Sequence, residues 1–137
     1  MQKRTFLKLA AASALATQLP RWALSATLRG RDLFKLGVAS GAPTPDGFVL
    51  WTRLLDGAVP GTPQADAQGI TPLQGPLTVQ WEVAEDEAFR RIVRRGQAQA
   101  RPELGHSVHV EVDGLRPGRW YFYRFMHGGA ATAPARP

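Results

Sequence analysis

Gly114-Leu-Arg-Pro-Gly-Arg-Trp-Tyr-Phe-Tyr-Arg-Phe125 is the stretch that decides the architecture of this 137-residue chain. A proline stands two residues after Leu115 and a tyrosine six after it, the spacing of a corner between two strands of a sandwich. Pro117 fixes φ and withholds a donor, Gly118 permits the tight turn, and Tyr121 can bury its ring while its hydroxyl bonds back to upstream backbone. An ordinary aromatic strand after a Pro-Gly turn is the plainer alternative, and it leaves the spacing unexplained.

Working outward, Trp120 to His127 reads as a last strand, apolar on both sides and therefore central. Upstream, His106 to Asp113 alternates, with Val108, Val110 and Val112 facing in and Ser107, His109, Glu111 and Asp113 facing out. Leu77 to Ala84 alternates in the same way, with Leu77, Val79, Trp81 and Val83 on one face. Period two with one apolar face predicts half-buried antiparallel strands. Between them, Glu85 to Val93 also fits a helical stripe, so one helical turn is expected there, leading into a strand over Gly96 to Ala100. Phe34 to Ser40 and Gly47 to Leu54 are expected strands around a Gly41 to Asp46 turn, with Trp51 a core candidate. Asp56 to Pro76 holds Pro60, Pro63, Pro72 and Pro76 and reads as a long connection without structure of its own, either a loose loop or a segment that orders against another domain. Six or seven strands in this length imply an all-β fold, an antiparallel sandwich of immunoglobulin or fibronectin type III kind. No internal repeat is apparent.

The start of the chain is of another character. Residues 1–26 carry Lys3, Arg4, Lys8 and Arg21, no acid, and an Ala/Leu run from Leu9 to Leu19. Such a segment reads as an export signal helix, with cleavage expected after Ser25 or Ala26. A stable membrane anchor is disfavoured, because a span needs about 20 apolar residues and this run is roughly half that before Pro20. Lys3-Arg-Thr-Phe-Leu-Lys8 resembles a twin-arginine signal with lysine in place of the first arginine, which implies a periplasmic or secreted location by that route.

Removing the leader and its flank changes what the net charge of +6 means. Residues 32–137 hold equal numbers of basic and acidic residues, so a nucleic-acid partner is not expected. The cluster Arg90, Arg91, Arg94 and Arg95 is offset by Glu82, Glu85, Asp86 and Glu87 and reads as a solvated charged edge. With no cysteine there is no disulfide, thiolate nucleophile or cysteine metal ligand.

A search for chemistry yields no catalytic, cofactor-binding or metal-binding residues. His106 and His109 are three apart on an expected strand and so point to opposite faces, and His127 has no evident partner. Ser40 lacks the spacing and following helix of a nucleophile elbow, and Thr44-Pro-Asp46 reads as turn chemistry. Glu85, Asp86 and Glu87 are adjacent in a polar turn, and Gly128-Gly129 is too short to cradle a phosphate.

Three blocks taken together carry a resemblance. They are Phe34 to Asp46 with Val49 to Leu54, Val79 to Asp86 with Phe89, and His106 to Val112 through Tyr123-Arg-Phe125. In order and spacing this resembles the N-terminal domain of the PhoD-like alkaline phosphatase D family, which includes metal-dependent phospholipase D enzymes. The resemblance implies an exported leader (1–26), a small β-sandwich (32–129), and a large metallophosphatase domain, absent from this chain, that hydrolyses phosphomonoesters or phosphodiesters. Iron and calcium are the cofactors it implies, held in that missing domain, with no cofactor in this chain. Ala42 stands where an aspartate is common, and the low-complexity stretch 130–137 replaces the family's usual continuation. The first departure touches only a turn carboxylate, whereas the low-complexity end suggests a truncated or frameshifted reading frame; the expectation is a monomeric fragment, non-catalytic alone, whose partner is a metallophosphatase domain that is missing or separately encoded. The alternative is a free-standing exported binding module, gripping a glycan or partner through its long loop and exposed aromatics.

Overall fold

The computed structural model describes residues 31–57 and 70–137. The expected signal helix and residues 58–69 of the long connection lie outside the described residues. In chain order the strands are β1 (Val38–Thr44), β2 (Gly47–Arg53), β3 (Asp56–Gly57), β4 (Ile70–Thr71), β5 (Leu77–Ala84), β6 (Ile92–Ala100), β7 (Ser107–Val112), β8 (Phe122–His127) and β9 (Ala130–Ala131). They form an antiparallel β-sandwich: one sheet in the order β1-β2-β7, the other β6-β5-β8-β9, with β3 and β4 as a separate short ladder.

Alternation in the sequence becomes the interior of this sandwich. Phe48, Leu50, Val108, Val110 and Val112 face in from the three-stranded sheet, and Leu77, Val79, Val83, Tyr123 and Phe125 face them from the other. Registers Leu50↔Val110 and Val83↔Tyr123 stack these positions in rows. Tyr123 meets Phe125 edge-on at 6.4 Å between ring centroids, and Phe48 lies 6.5 Å from Tyr121 and from Tyr123. Such offset and edge contacts suit the ring quadrupoles and add to the burial of the rings. Gly96 lies beneath the indole of Trp81 on the neighbouring strand, where an added Cβ would press into the ring.

Several local expectations are corrected. Phe34 to Gly37 is a turn, with Gly37 N donating to Phe34 O at 2.9 Å and Gly37 at φ 73°, so β1 begins at Val38. It then continues through Gly41 to Thr44, past Pro43, because an edge strand has a side where a proline needs no donor; the register shifts between Gly41 and Thr44, with Ala42 at φ 46°. The expected helical turn at Glu85 to Val93 does not form. The Asp86 carboxylate instead accepts the Arg90 and Arg91 amides at 3.1 and 2.8 Å, and Phe89 adopts φ 55°. Caught this way, the backbone turns directly into β6, which starts at Ile92. Trp51 is not a core residue: it sits half-buried on the outer face of the three-stranded sheet, edge-on to His109. The last strand starts at Phe122, which leaves Trp120 on the surface, and β8 does run between β5 and β9. The alanine-rich end is ordered against β8 through β9 and through paired bonds between Tyr123 and Ala135 at 2.9 and 3.0 Å.

Candidate functional site

One end of the sandwich gathers the turns between β1 and β2, β5 and β6, and β7 and β8. Its centre is the corner that the opening stretch predicts. Arg116 N donates to the Tyr121 hydroxyl at 3.0 Å, and that hydroxyl donates to Arg116 O at 3.0 Å. Both Leu115 and Tyr121 are buried. Leu115 N also donates to Asp46 O at 2.8 Å, joining the corner to the β1–β2 turn. Arg94 reaches across from β6 and donates to the carbonyls of Asp113 and Gly114, bridging the open side between the sheets.

Between the β1–β2 turn and the corner runs a groove of about 180 Å³. Pro43, Pro45, Phe48 and Trp120 supply apolar lining, and Arg116 and Arg119 supply charge. Trp120 is 73% exposed. Arg136 stands beside it, its guanidinium 4.9 Å from the Phe122 ring centre and 5.9 Å from that of Trp120. Arg119 makes a long contact with Glu85 at 3.9 Å, whereas Arg116 and Arg136 have no carboxylate within ion-pair distance among the described residues. Asp46, the acid that lines the groove, accepts the Thr44 hydroxyl at 3.4 Å. The corner was legible in sequence, but the groove was not, because its two walls are about 70 residues apart in the chain.

Residues weighed for chemistry in the sequence are held apart. His106 is buried, with φ 57° and Nε2 2.9 Å from Gly75 O. His109 lies exposed beside Trp51, and His127 Nδ1 is 2.8 Å from Thr78 O. Ser40 is half-buried in the edge strand, and Asp56 is buried in an ion pair with Arg31 at 2.7 Å. No three His, Asp or Glu residues converge on a point that could hold a metal ion among the described residues. The donors of the described residues therefore form no set that fits iron or calcium. Asp86 has its pKa lowered, chiefly by the Arg91 amide; desolvation, the next effect in size, opposes this, and the Arg90 amide and the two arginine charges lower it further. This is turn chemistry. Within the arginine edge Arg91 lies 3.5 Å from Glu85 and Arg94 is tied to the corner, while on β8 Arg124 grips Glu82 through two donors at 2.7 and 2.9 Å and lies 4.1 Å above the Phe89 ring centre. Among the described residues no helix is long and apolar enough to cross a membrane.

Comparison with known proteins agrees with this architecture. A relative, alkaline phosphatase D of Bacillus subtilis (strain 168), is 53% identical over 95 residues, which are 69% of this chain and 15% of that protein. A solved structure described as "Structure of PhoD" superposes with a TM-score of 0.64 at 46% identity, over 75% of this chain and 18% of that one. The chain thus spans less than a fifth of the length of the relatives it matches. Residues 20–136 match the family described as "PhoD-like phosphatase, N-terminal domain", and the chain belongs to that family.

Proposed function

We propose that this chain is the N-terminal β-sandwich domain of an exported alkaline phosphatase D-like phosphomonoesterase or phosphodiesterase, and that it does not catalyse alone. The reaction belongs to a metallophosphatase domain outside this chain, where iron and calcium would activate water and neutralise charge on the phosphoryl oxygens. Export by the twin-arginine route, to the periplasm or the medium, completes the reading.

The observation that carries it is the family match over residues 20–136 together with the 15% share of alkaline phosphatase D that the alignment spans. Support also comes from the chain's own donors, each engaged in its own structural contact: His106 with Gly75, His109 beside Trp51, His127 with Thr78 and the buried Asp56 with Arg31. The test is hydrolysis of p-nitrophenyl phosphate and bis-p-nitrophenyl phosphate by the purified chain supplied with iron and calcium. No turnover is expected from the chain alone. Metal-dependent release of nitrophenolate that survives repurification would overturn the reading.

A further inference from the structure

The outer faces of the two sheets are finished differently. On the four-stranded sheet the side chains serve one another: Gln99 donates to the Thr78 hydroxyl at 2.9 Å, Arg124 grips Glu82 and lies over Phe89, and Arg136 lies over Phe122. On the three-stranded sheet the central strand β2 is apolar on both sides, with Phe48 and Leu50 in the core and Val49 and Trp51 turned away from it. Their cross-strand neighbours make two rows on the outer face, one of Ala39, Trp51 and His109, the other of Gly41, Val49 and Glu111. Trp51 packs edge-on against His109 on β7, and on its β1 side it has only these small residues. Ala39 and Gly41 are exposed, and a Cβ added at Gly41 would meet nothing within 4 Å. An antiparallel strand that faces water on one side alternates apolar with polar, whereas a strand apolar on both faces is covered twice. Here the core supplies one cover.

We propose that the second cover is the metallophosphatase domain, packed on the outer face of β1, β2 and β7 around Trp51. The identity of the occupant rests on the proposed function; the apolar rows stand without it. The family is that of an N-terminal domain, and the matches span only 15% of alkaline phosphatase D and 18% of the PhoD chain, so more than four-fifths of each relative's length lies outside the region matched. A domain tethered in the same chain meets the sandwich at high effective concentration, and it needs a patch with an apolar centre and a polar rim rather than a deep pocket. The two rows supply both. Trp51 and Val49 stand at the centre, tryptophan being a residue type that often carries much of an interface's energy, and His109 and Glu111 form the rim along β7. Ala39 and Gly41 leave room for a side chain of the partner to seat beside the indole.

The experiment is thiol labelling. The chain has no cysteine, so Ala39→Cys, Gly41→Cys and, on the outer face of the other sheet, Gln97→Cys each introduce a single thiol. Each variant is treated with a maleimide in the isolated chain and in a chimera where residues 31–137 replace the matching segment of Bacillus subtilis alkaline phosphatase D, and the labelled peptide is quantified by mass spectrometry. Ala39→Cys and Gly41→Cys should react about tenfold more slowly in the chimera than in the isolated chain, while Gln97→Cys reacts equally in both. The same three positions, identified by superposition, are tested in alkaline phosphatase D itself, with slow labelling expected at the first two and fast labelling at the third. That arm decides the matter where the chimera fails to hydrolyse p-nitrophenyl phosphate. Equal rates for Ala39→Cys and Gly41→Cys in the isolated chain and an active chimera would overturn the proposal, as would protection of Gln97→Cys in their place. Protection already present in the isolated chain would assign the face to the chain itself or to a second copy, and would overturn it too. Turnover by the isolated chain would sink the proposed function without altering any labelling rate, so the two failures stay distinct.

Discussion

The two ends of the sandwich are closed by different means. At the corner end, bonds short in sequence, Tyr121 with Arg116 and Asp86 with the Arg90 and Arg91 amides, stand beside the longer reaches of Leu115 to Asp46 and of Arg94 to the Asp113 and Gly114 carbonyls. At the far end a local turn in which Leu104 and His106 both donate to Arg101 O is joined by bonds between distant segments. Leu54 N donates to His106 O at 3.1 Å, His106 Nε2 meets Gly75 O, and Arg53 Nε donates to Gly105 O at 2.8 Å. Arg31 pairs with Asp56 there, and Leu55 N donates to Leu33 O at 2.9 Å. His106 therefore holds both sides of the long connection, since Leu54 precedes it and Gly75 ends it. Local closures hold once their own turn forms, whereas distant ones depend on the whole sandwich being assembled.

The largest expected effect lies where the corner end meets the core. In Gly47→Ala the new Cβ would collide with the Val112 carbonyl oxygen, a backbone atom that can move only by disrupting the β2–β7 pairing. A loss of about 3 kcal/mol or more is expected in denaturant unfolding. A loss below about 1 kcal/mol would mean that β2 and β7 can slide apart at this end.

Next in size is Tyr121→Phe, which keeps the ring and removes both bonds to Arg116. It should cost about 2 kcal/mol, since two backbone groups lose one shared partner. Because the corner sits between β7 and β8, this loss should appear as global destabilisation. Exchange of the Leu54 amide should change only by the global amount.

At the far end, His106→Asn keeps a residue that tolerates positive φ but shortens the reach to Gly75. About 1 kcal/mol is expected. The sharper readout is hydrogen exchange: the Leu54 amide should speed up while the Tyr123 amide, bonded to Ala135, stays protected. Equal acceleration at both amides would show that the two ends open together, and the contrast between them would fail.

The smallest effect concerns Asp86. Its folded pKa lies below the ordinary 3.8, so the contribution it makes is fully present above that value and is lost as pH falls from there through the folded pKa. Acidification below about pH 4 should loosen the turn and speed exchange of the Arg90 and Arg91 amides, with little change at Tyr121. The carboxylate is half-buried in a surface turn and its bonds are local to that turn, so global stability should barely respond. Asp86→Asn should abolish the pH response of those two amides; its persistence would assign the effect to another group.

Much of the architecture was written in patterns that act over a few residues. Val108, Val110 and Val112 alternate with polar neighbours and do face the core, and the Leu115, Pro117 and Tyr121 spacing does form the corner. Readings failed where local pattern was ambiguous. Ala88, Phe89, Ile92 and Val93 fit a helical stripe, but the Asp86 carboxylate captures two amides first and diverts the backbone. Trp51 read as core because Gly47 to Leu54 is apolar on both faces, yet the pleat that buries Leu50 and Thr52 obliges Trp51 to face outward.

By itself the sequence determined the strand periods, the tyrosine corner, the near-neutral charge of residues 32–137 and the family resemblance, because each is carried by short local patterns, by their order along the chain or by simple composition. Only the tertiary structure decided that Pro43 and Pro45 would stand opposite Trp120, that Arg116 and Arg136 would flank it, and that His106 would hold both sides of the long connection. Those neighbours are set by which strands pair and how the two sheets stack, and a pairing between distant segments leaves no trace in the spacing of either one.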